Sequence, residues 1–175
     1  MNRIVSRLAL TAGLILVSVR GFADLGEIHN YHEVDDSLST GGHVMAPQVP
    51  ELKEAGFELV VNLATVQEDH NASDGPRIAA EGIAYMHIPV PWSSPTLEDL
   101  DLFFAVMDAR ADRKTLVHCM ANYRASAFVY LYRTLRMGVS EAEARPDLEV
   151  VWDADAWREY PQWADLMKAA KARAN

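Results

Sequence analysis

The sequence predicts an α/β fold in three layers, a central, mostly parallel sheet flanked by helices. Short apolar runs of strand length at 58–63, 83–88 and 114–118 alternate with segments of helical period. Strands separated by helices need crossovers, and crossovers favour parallel neighbours. No internal repeat, low-complexity tract or Pro/Gly/Ser linker divides the chain, so a single core is expected.

At the start of the chain, Arg3 and Arg7 precede an apolar run over 8–19, and Gly21-Phe22-Ala23 supplies small residues for cleavage. Residues 1–23 read as a secretory signal peptide, too short in its apolar part to span a bilayer comfortably, with Arg20 blurring the cut position. Residues 24–175 then form one domain, expected in the periplasm or secreted. Residues 28–34 and 38–40 are short strand candidates, with Gly41-Gly42 as a turn. Residues 49–55 read as a short helix closed by Gly56. The first core strand is 58–63 (Glu-Leu-Val-Val-Asn-Leu) and the second is 83–88. Between them a helix is predicted over 74–81, with Asp74 as its cap, Pro76 in its first turn and Gly82 at its end.

The next helix carries the strongest signals. Thr96 and Asp99 have the spacing of a capping box, and Leu97, Leu100, Phe103, Phe104 and Met107 share one face. A buried strand follows at 114–118. Phe128, Leu131, Tyr132 and Leu135 form the stripe of a core helix that Gly138 ends. Ser140 and Glu143 cap a short helix that Pro146 closes. A last helix starts near Asp153 or Asp155 and runs through Trp157 and Leu166.

Hydrophobic residues make up 50% of the chain and its formal net charge is −9. Such an acidic chain is not expected to bind nucleic acid or, once the signal is removed, an anionic membrane. Cys119 is the chain's one cysteine. In an oxidising compartment it lacks an intramolecular partner, so it must be shielded, reactive or paired between chains.

The stretch His118-Cys119-Met120-Ala121-Asn122-Tyr123-Arg124 puts that cysteine at the end of an apolar strand and at the mouth of a helix. Backbone N–H groups and the positive end of the helix dipole converge there, and the Arg124 fork can close on an oxyanion. The same environment favours a thiolate. A lone cysteine is by default a small buried hydrophobe. Here the preceding His, the following Arg, the upstream strand and the downstream amphipathic helix together point to a reactive thiol.

Strand, His-Cys, short loop, Arg and helix in this order resemble the cysteine-dependent protein tyrosine and dual-specificity phosphatases. Gly41-Gly42, Glu54-Ala55-Gly56-Phe57, Val60-Val61-Asn62-Leu63 and His87-Ile88-Pro89 extend the resemblance to the phosphatase-like domain of the beta-lactamase-hydrolase-like family, over roughly residues 28–137. The resemblance implies a cysteine-phosphatase-like version of the fold and no cofactor. It implies that Cys119 attacks phosphorus to give a phosphocysteine, while Arg124 and the loop from Met120, Ala121, Asn122 and Tyr123 to Ala125 and Ser126 hold the oxygens. His118 would orient the loop and help to keep the thiolate. The substrate would be a phosphate monoester, on a small molecule or a phosphoprotein.

Several features depart from the superfamily pattern. Four residues separate Cys119 from Arg124, where these phosphatases have five. The loop has no glycine, which leaves Asn122 to take a left-handed conformation. Ala125 stands where a Ser or Thr assists turnover, with Ser126 one step later. The segment Val90-Pro91-Trp92-Ser93-Ser94-Pro95 lacks the acidic residue that protonates leaving groups, and Glu98, Asp99 and Asp101 come only after it. The shorter loop matches rhodanese-like sulfurtransferases, whose cysteine carries a persulfide, and a non-catalytic anion-binding module would need Arg124 without Cys119. These two readings stay open beside the phosphatase. His29, His32 and His43 have no carboxylate or cysteine at a recognisable ligand spacing, so no metal site is expected. Trp92, Trp152, Trp157 and Trp163 read first as core, with a lid over the site as the alternative. Asn71-Ala72-Ser73 has the pattern of a glycosylation acceptor.

Overall fold

Five strands of four residues each form one sheet, whose three inner strands are buried along their whole length. The computed structural model describes residues 25–67 and 71–174, and the segment read as a signal peptide lies outside them. The strands are β1 (His32–Asp35), β2 (Leu38–Gly41), β3 (Leu59–Asn62), β4 (Ala84–His87) and β5 (Thr115–His118), in the order β1-β2-β5-β3-β4. β1 pairs antiparallel with β2, and β2 with β5, β5 with β3 and β3 with β4 all pair parallel. The central strand is β5, and Cys119 follows its last residue, so the sheet delivers the thiol at its middle.

Alternation along the strands fixes the two faces. Val60 and Leu116 point to one side, where Leu52 of α1 (Val49–Glu54) and Ile78 of α2 (Asp74–Ala80) cover them with Phe57 and Ile83. Val61 and Val117 point to the other, under α3 (Leu97–Asp108), α4 (Tyr123–Leu135), α5 (Glu141–Glu149) and α7 (Pro161–Ala174). This second side is the larger core and holds Phe103, Phe128, Trp152 and Trp163 fully buried. The expected α/β fold with a mostly parallel sheet between helices is the one found.

Several local expectations need correction. The segment 83–88 was expected to be a core strand, but β4 is an edge strand in which only the flanking Ile83 and Ile88 are buried, while Ala84 and Met86 face outward. Gly41 ends β2 and Gly42 bridges to Ala121 rather than forming a turn; a Cβ on Gly42 would stand 2.7 Å from the His29 carbonyl and 3.0 Å from that of Met120. Asp74 lies inside α2, whose cap position is Ser73, because its carboxylate is drawn to His43 instead.

Pro146 sits within α5 instead of closing it. Its neighbours compensate for the lost N–H, since Asp147 binds both His32 and Arg133 and Leu148 enters the core. The single last helix is two: α6 (Ala154–Glu159), capped by Asp153, and α7. Tyr160 separates them at ψ 64°, as expected for a residue forced out of the helical region by the following proline. The Thr96–Asp99 capping box forms as expected, and Gly138 follows α4 with φ 71°. No helix among the described residues is long and apolar enough to cross a membrane.

Candidate active site

Cys119 opens the loop joining β5 to α4, 1% exposed, with its N–H donating to the Gly41 carbonyl at 3.2 Å. What shapes this loop is the fate of its carbonyl groups. Met120 O accepts from the His43 N–H at 3.1 Å and Ala121 O from Asn30 Nδ2 at 3.2 Å. Asn122 O accepts from the N–H and the hydroxyl of Ser126, at 2.9 and 2.8 Å, and Tyr123 O from Trp152 Nε1 at 2.9 Å. Each carbonyl is thus held by the scaffold, and in a planar trans peptide the next N–H points the opposite way. The N–H groups of Met120, Ala121, Tyr123, Arg124 and Ala125 make no hydrogen bond among the described residues.

The left-handed residue is Asn122, at φ 68°, as the absence of glycine implied. Its side chain does not cap α4: Nδ2 donates to Asn30 O at 2.7 Å and to Thr40 Oγ1 at 3.0 Å. An N-cap residue normally satisfies one of the first helical N–H groups. Here that donor is left without a side-chain partner.

Arg124 supplies the positive charge. Its Nε donates to the Val90 carbonyl at 2.9 Å, and its guanidinium lies over the Trp92 ring, 5.2 Å from the centroid. Among the described residues no carboxylate pairs with it and its two terminal nitrogens make no hydrogen bond, although the residue is only 7% exposed. A buried guanidinium is costly unless an anion compensates it. Trp92 is itself fixed, its carbonyl accepting from Trp163 Nε1 at 3.1 Å and Gln162 Nε2 at 3.2 Å. The tryptophans therefore form a wall behind Arg124, continued by Tyr123 and Tyr160, with Trp152 stacked on Trp157 at 4.1 Å. They are packing, and they hold the arginine in place.

His118 is fully buried, and neither ring nitrogen has a hydrogen-bond partner among the described residues. Burial above all pushes its pKa down to about 4; His43 and His87 push the same way, while Asp74 and the Cys119 backbone oppose them. It is neutral at physiological pH, so any support it gives the thiol comes through position and not through positive charge.

The sequence-predicted residues divide into two sets. Cys119, Arg124 and the unpaired N–H groups of Met120, Ala121, Tyr123 and Ala125 share one loop and the first turn of α4. The side chains of Asn122 and Ser126 do not join them: the first binds the β1 approach and the second braces the first turn of α4 through Asn122 O and Tyr123 O. Sequence reasoning missed Asn30, His43, Val90 and Trp92 as loop supports. The Gly41-Gly42 pair was the one available signal, since its lack of side chains permits the close approach of strand to loop. Of the carboxylates after Pro95, Asp99 is held by Thr96 and Asp101 by Arg173, while Glu98 is exposed. The three N-terminal histidines go to separate places, His29 to solvent, His32 to Asp147 and His43 to Asp74. Asn71 is 4% exposed, with its amide bonded to Gln67 and Thr65, which removes it as a glycosylation acceptor in the folded chain.

Residues 19–159 match the model of a family described as DSP-PTPase phosphatase fused to NAD+ kinase. A DUF442 protein of Shewanella putrefaciens CN-32, a candidate phosphatase by name, has a similar structure with a TM-score of 0.74 and 33% identity, covering 89% of this chain and 97% of that chain. Tk-PTP in its active form gives a TM-score of 0.69 at 18% identity, over 82% of this chain and 97% of that chain. TpbA of P. aeruginosa in complex with pTyr gives 0.60 at 17% identity, over 81% and 90%. At such identity the last two share the fold. A comparison with curated proteins finds no match.

Proposed function

This chain belongs to the DSP-PTPase phosphatase family, a family of hydrolases, and from that premise we propose that it is a cysteine-dependent phosphatase acting through a phosphocysteine. The observation that carries the reading is the set of donors around Cys119. Unpartnered N–H groups and a buried guanidinium with no carboxylate partner among the described residues follow Cys119 within one loop and helix turn, a donor set that suits a tetrahedral dianion. In the first step the Cys119 thiolate attacks phosphorus, a P–S bond forms and the P–O bond to the leaving group breaks, its electrons going to the leaving oxygen. Arg124 and the loop N–H groups hold the equatorial oxygens. In the second step water attacks phosphorus, the P–S bond breaks, and phosphate and the thiolate are released.

The 88–96 segment offers no carboxylate to protonate the leaving oxygen. Monoesters with good leaving groups, such as aryl phosphates, are therefore hydrolysed much faster than alkyl ones. The substrate is a phosphorylated small molecule or a phosphoprotein, met in the periplasm or outside the cell after loss of residues 1–23. The four-residue spacing from Cys119 to Arg124 supports the sulfurtransferase as the second reading. Turnover of p-nitrophenyl phosphate by the wild type and its loss in Cys119→Ser, with the fold retained, supports the phosphatase. Thiosulfate-dependent persulfide on Cys119 without phosphate release would replace it with the second reading.

A further inference from the structure

Beneath the loop, on the α1/α2 side of the sheet, lies a belt of polar side chains that the phosphatase mechanism leaves unused. Asn62, His87 and His118 stand side by side at the ends of β3, β4 and β5. Asn62 Nδ2 binds the Tyr85 hydroxyl at 2.8 Å, and His87 binds the Ala64 carbonyl at 2.7 Å. The ring of Tyr85 lies so close to Gly75 that a Cβ there would meet it at 2.9 Å, which fixes the start of α2 against β4. Asp74, 2% exposed, meets His43 Nε2 at 3.1 Å. His43 in turn donates its backbone N–H to Met120 O.

From these contacts we propose that His43 is a positioning residue for the Cys119 loop, holding the Met120 carbonyl away from the anion site while Asp74 holds the imidazole. The chain of reasoning is mechanical. Met120 is the first residue after the thiol, and its carbonyl must point outward for the Ala121 N–H to point inward. The donor that turns it outward belongs to His43, on a short segment between Gly42 and Val44 that contains no regular element. The imidazole tethers that segment to the first turn of α2. Asp74 needs the tether equally, since a carboxylate buried to this degree is stable only when paired. The neighbouring groups do not replace either partner: Tyr85 is taken by Asn62, His87 by Ala64, and His118 has no hydrogen-bond partner among the described residues.

The role rests on the phosphatase reading only through Cys119 being the reactive group. His43→Ala and Asp74→Asn, singly and together, are compared with His43→Gln, whose amide can still donate to Asp74. Each is followed by melting temperature, by the pH dependence of Cys119 alkylation with iodoacetamide and by kcat/KM on p-nitrophenyl phosphate. The expected result is a kcat/KM lowered about 10²-fold in both single variants, because loop N–H groups are misplaced. The alkylation midpoint should rise by about one pH unit. The double variant should be no worse than either single one, and His43→Gln should recover part of the loss. A folded His43→Ala with wild-type midpoint and kcat/KM, or losses that simply add, would overturn the role. Should His43→Ala not fold, Asp74→Asn decides by the same two readings. Alkylation does not require turnover, so an inactive wild type whose midpoint still moves in the variants would sink the phosphatase reading and leave the positioning role standing.

Discussion

The two sides of the Cys119 loop are supported by opposite kinds of matter. On the Arg124 side the support is aromatic: Trp92 under the guanidinium, Tyr123 edge-on to Trp152, and Trp163 holding the Trp92 carbonyl. On the Cys119 side it is a belt of hydrogen-bonded polar groups, His43, Asp74, Asn62, Tyr85 and His87, around a neutral, fully buried His118. The difference follows from what each group would need in the proposed reaction. A guanidinium can lie on a π face and still direct its terminal nitrogens at an anion. Backbone N–H groups are aimed only by fixing the carbonyls behind them, and that takes individual donors. Stability is thus concentrated on the aromatic side and orientation on the polar side.

The largest effect that tests this division is expected at Trp152, 1% exposed and bonded to the Tyr123 carbonyl. Trp152→Ala should lower stability in urea by about 3–5 kcal/mol, from lost apolar contact and the cavity left behind. If this variant unfolded no more readily than His43→Ala, the division between a stabilising and an orienting side would be broken.

A smaller effect sharpens the polar side. The His118 pKa is depressed from 6.5 to about 4 by burial, so between those values the unfolded chain binds a proton that the folded chain refuses. Stability therefore rises with pH across this window, and the penalty is fully present below about pH 4. The shift corresponds to something on the order of 3 kcal/mol. Urea unfolding at pH 7 and pH 4.5 should show His118→Asn losing less stability on acidification than the wild type. Equal losses would mean that His118 does not carry the acid limb.

What was legible in the sequence was whatever local chemistry decides. The 3.6-residue stripe of α3 and α4, the Thr96–Asp99 box and the left-handed Asn122 all depend on residues within a turn or so of each other. The Cys119–Arg124 segment at the end of β5 was legible for the same reason, since its residues are joined by one short loop. The failures were decided by distant partners. Asp74 has the residue type of a cap but is drawn 31 positions away to His43. Pro146 is a helix stop that Asp147, held by His32 and Arg133, overrides. Ser126 looked like a substrate-side hydroxyl and spends its hydrogen bonds on its own helix. The carbonyl supports of the loop, Asn30 and Trp152 among them, come from residues whose proximity only the fold creates.

The most direct test of the central claim is to catch the intermediate. Acid quench of the wild-type chain during turnover of an aryl phosphate, followed by mass spectrometry of its peptides, should find a phosphoryl group on the peptide containing Cys119 and none on that peptide in Cys119→Ser. Release of phosphate with that peptide unmodified at every quench time, or a sulfane sulfur from thiosulfate in its place, would contradict the account.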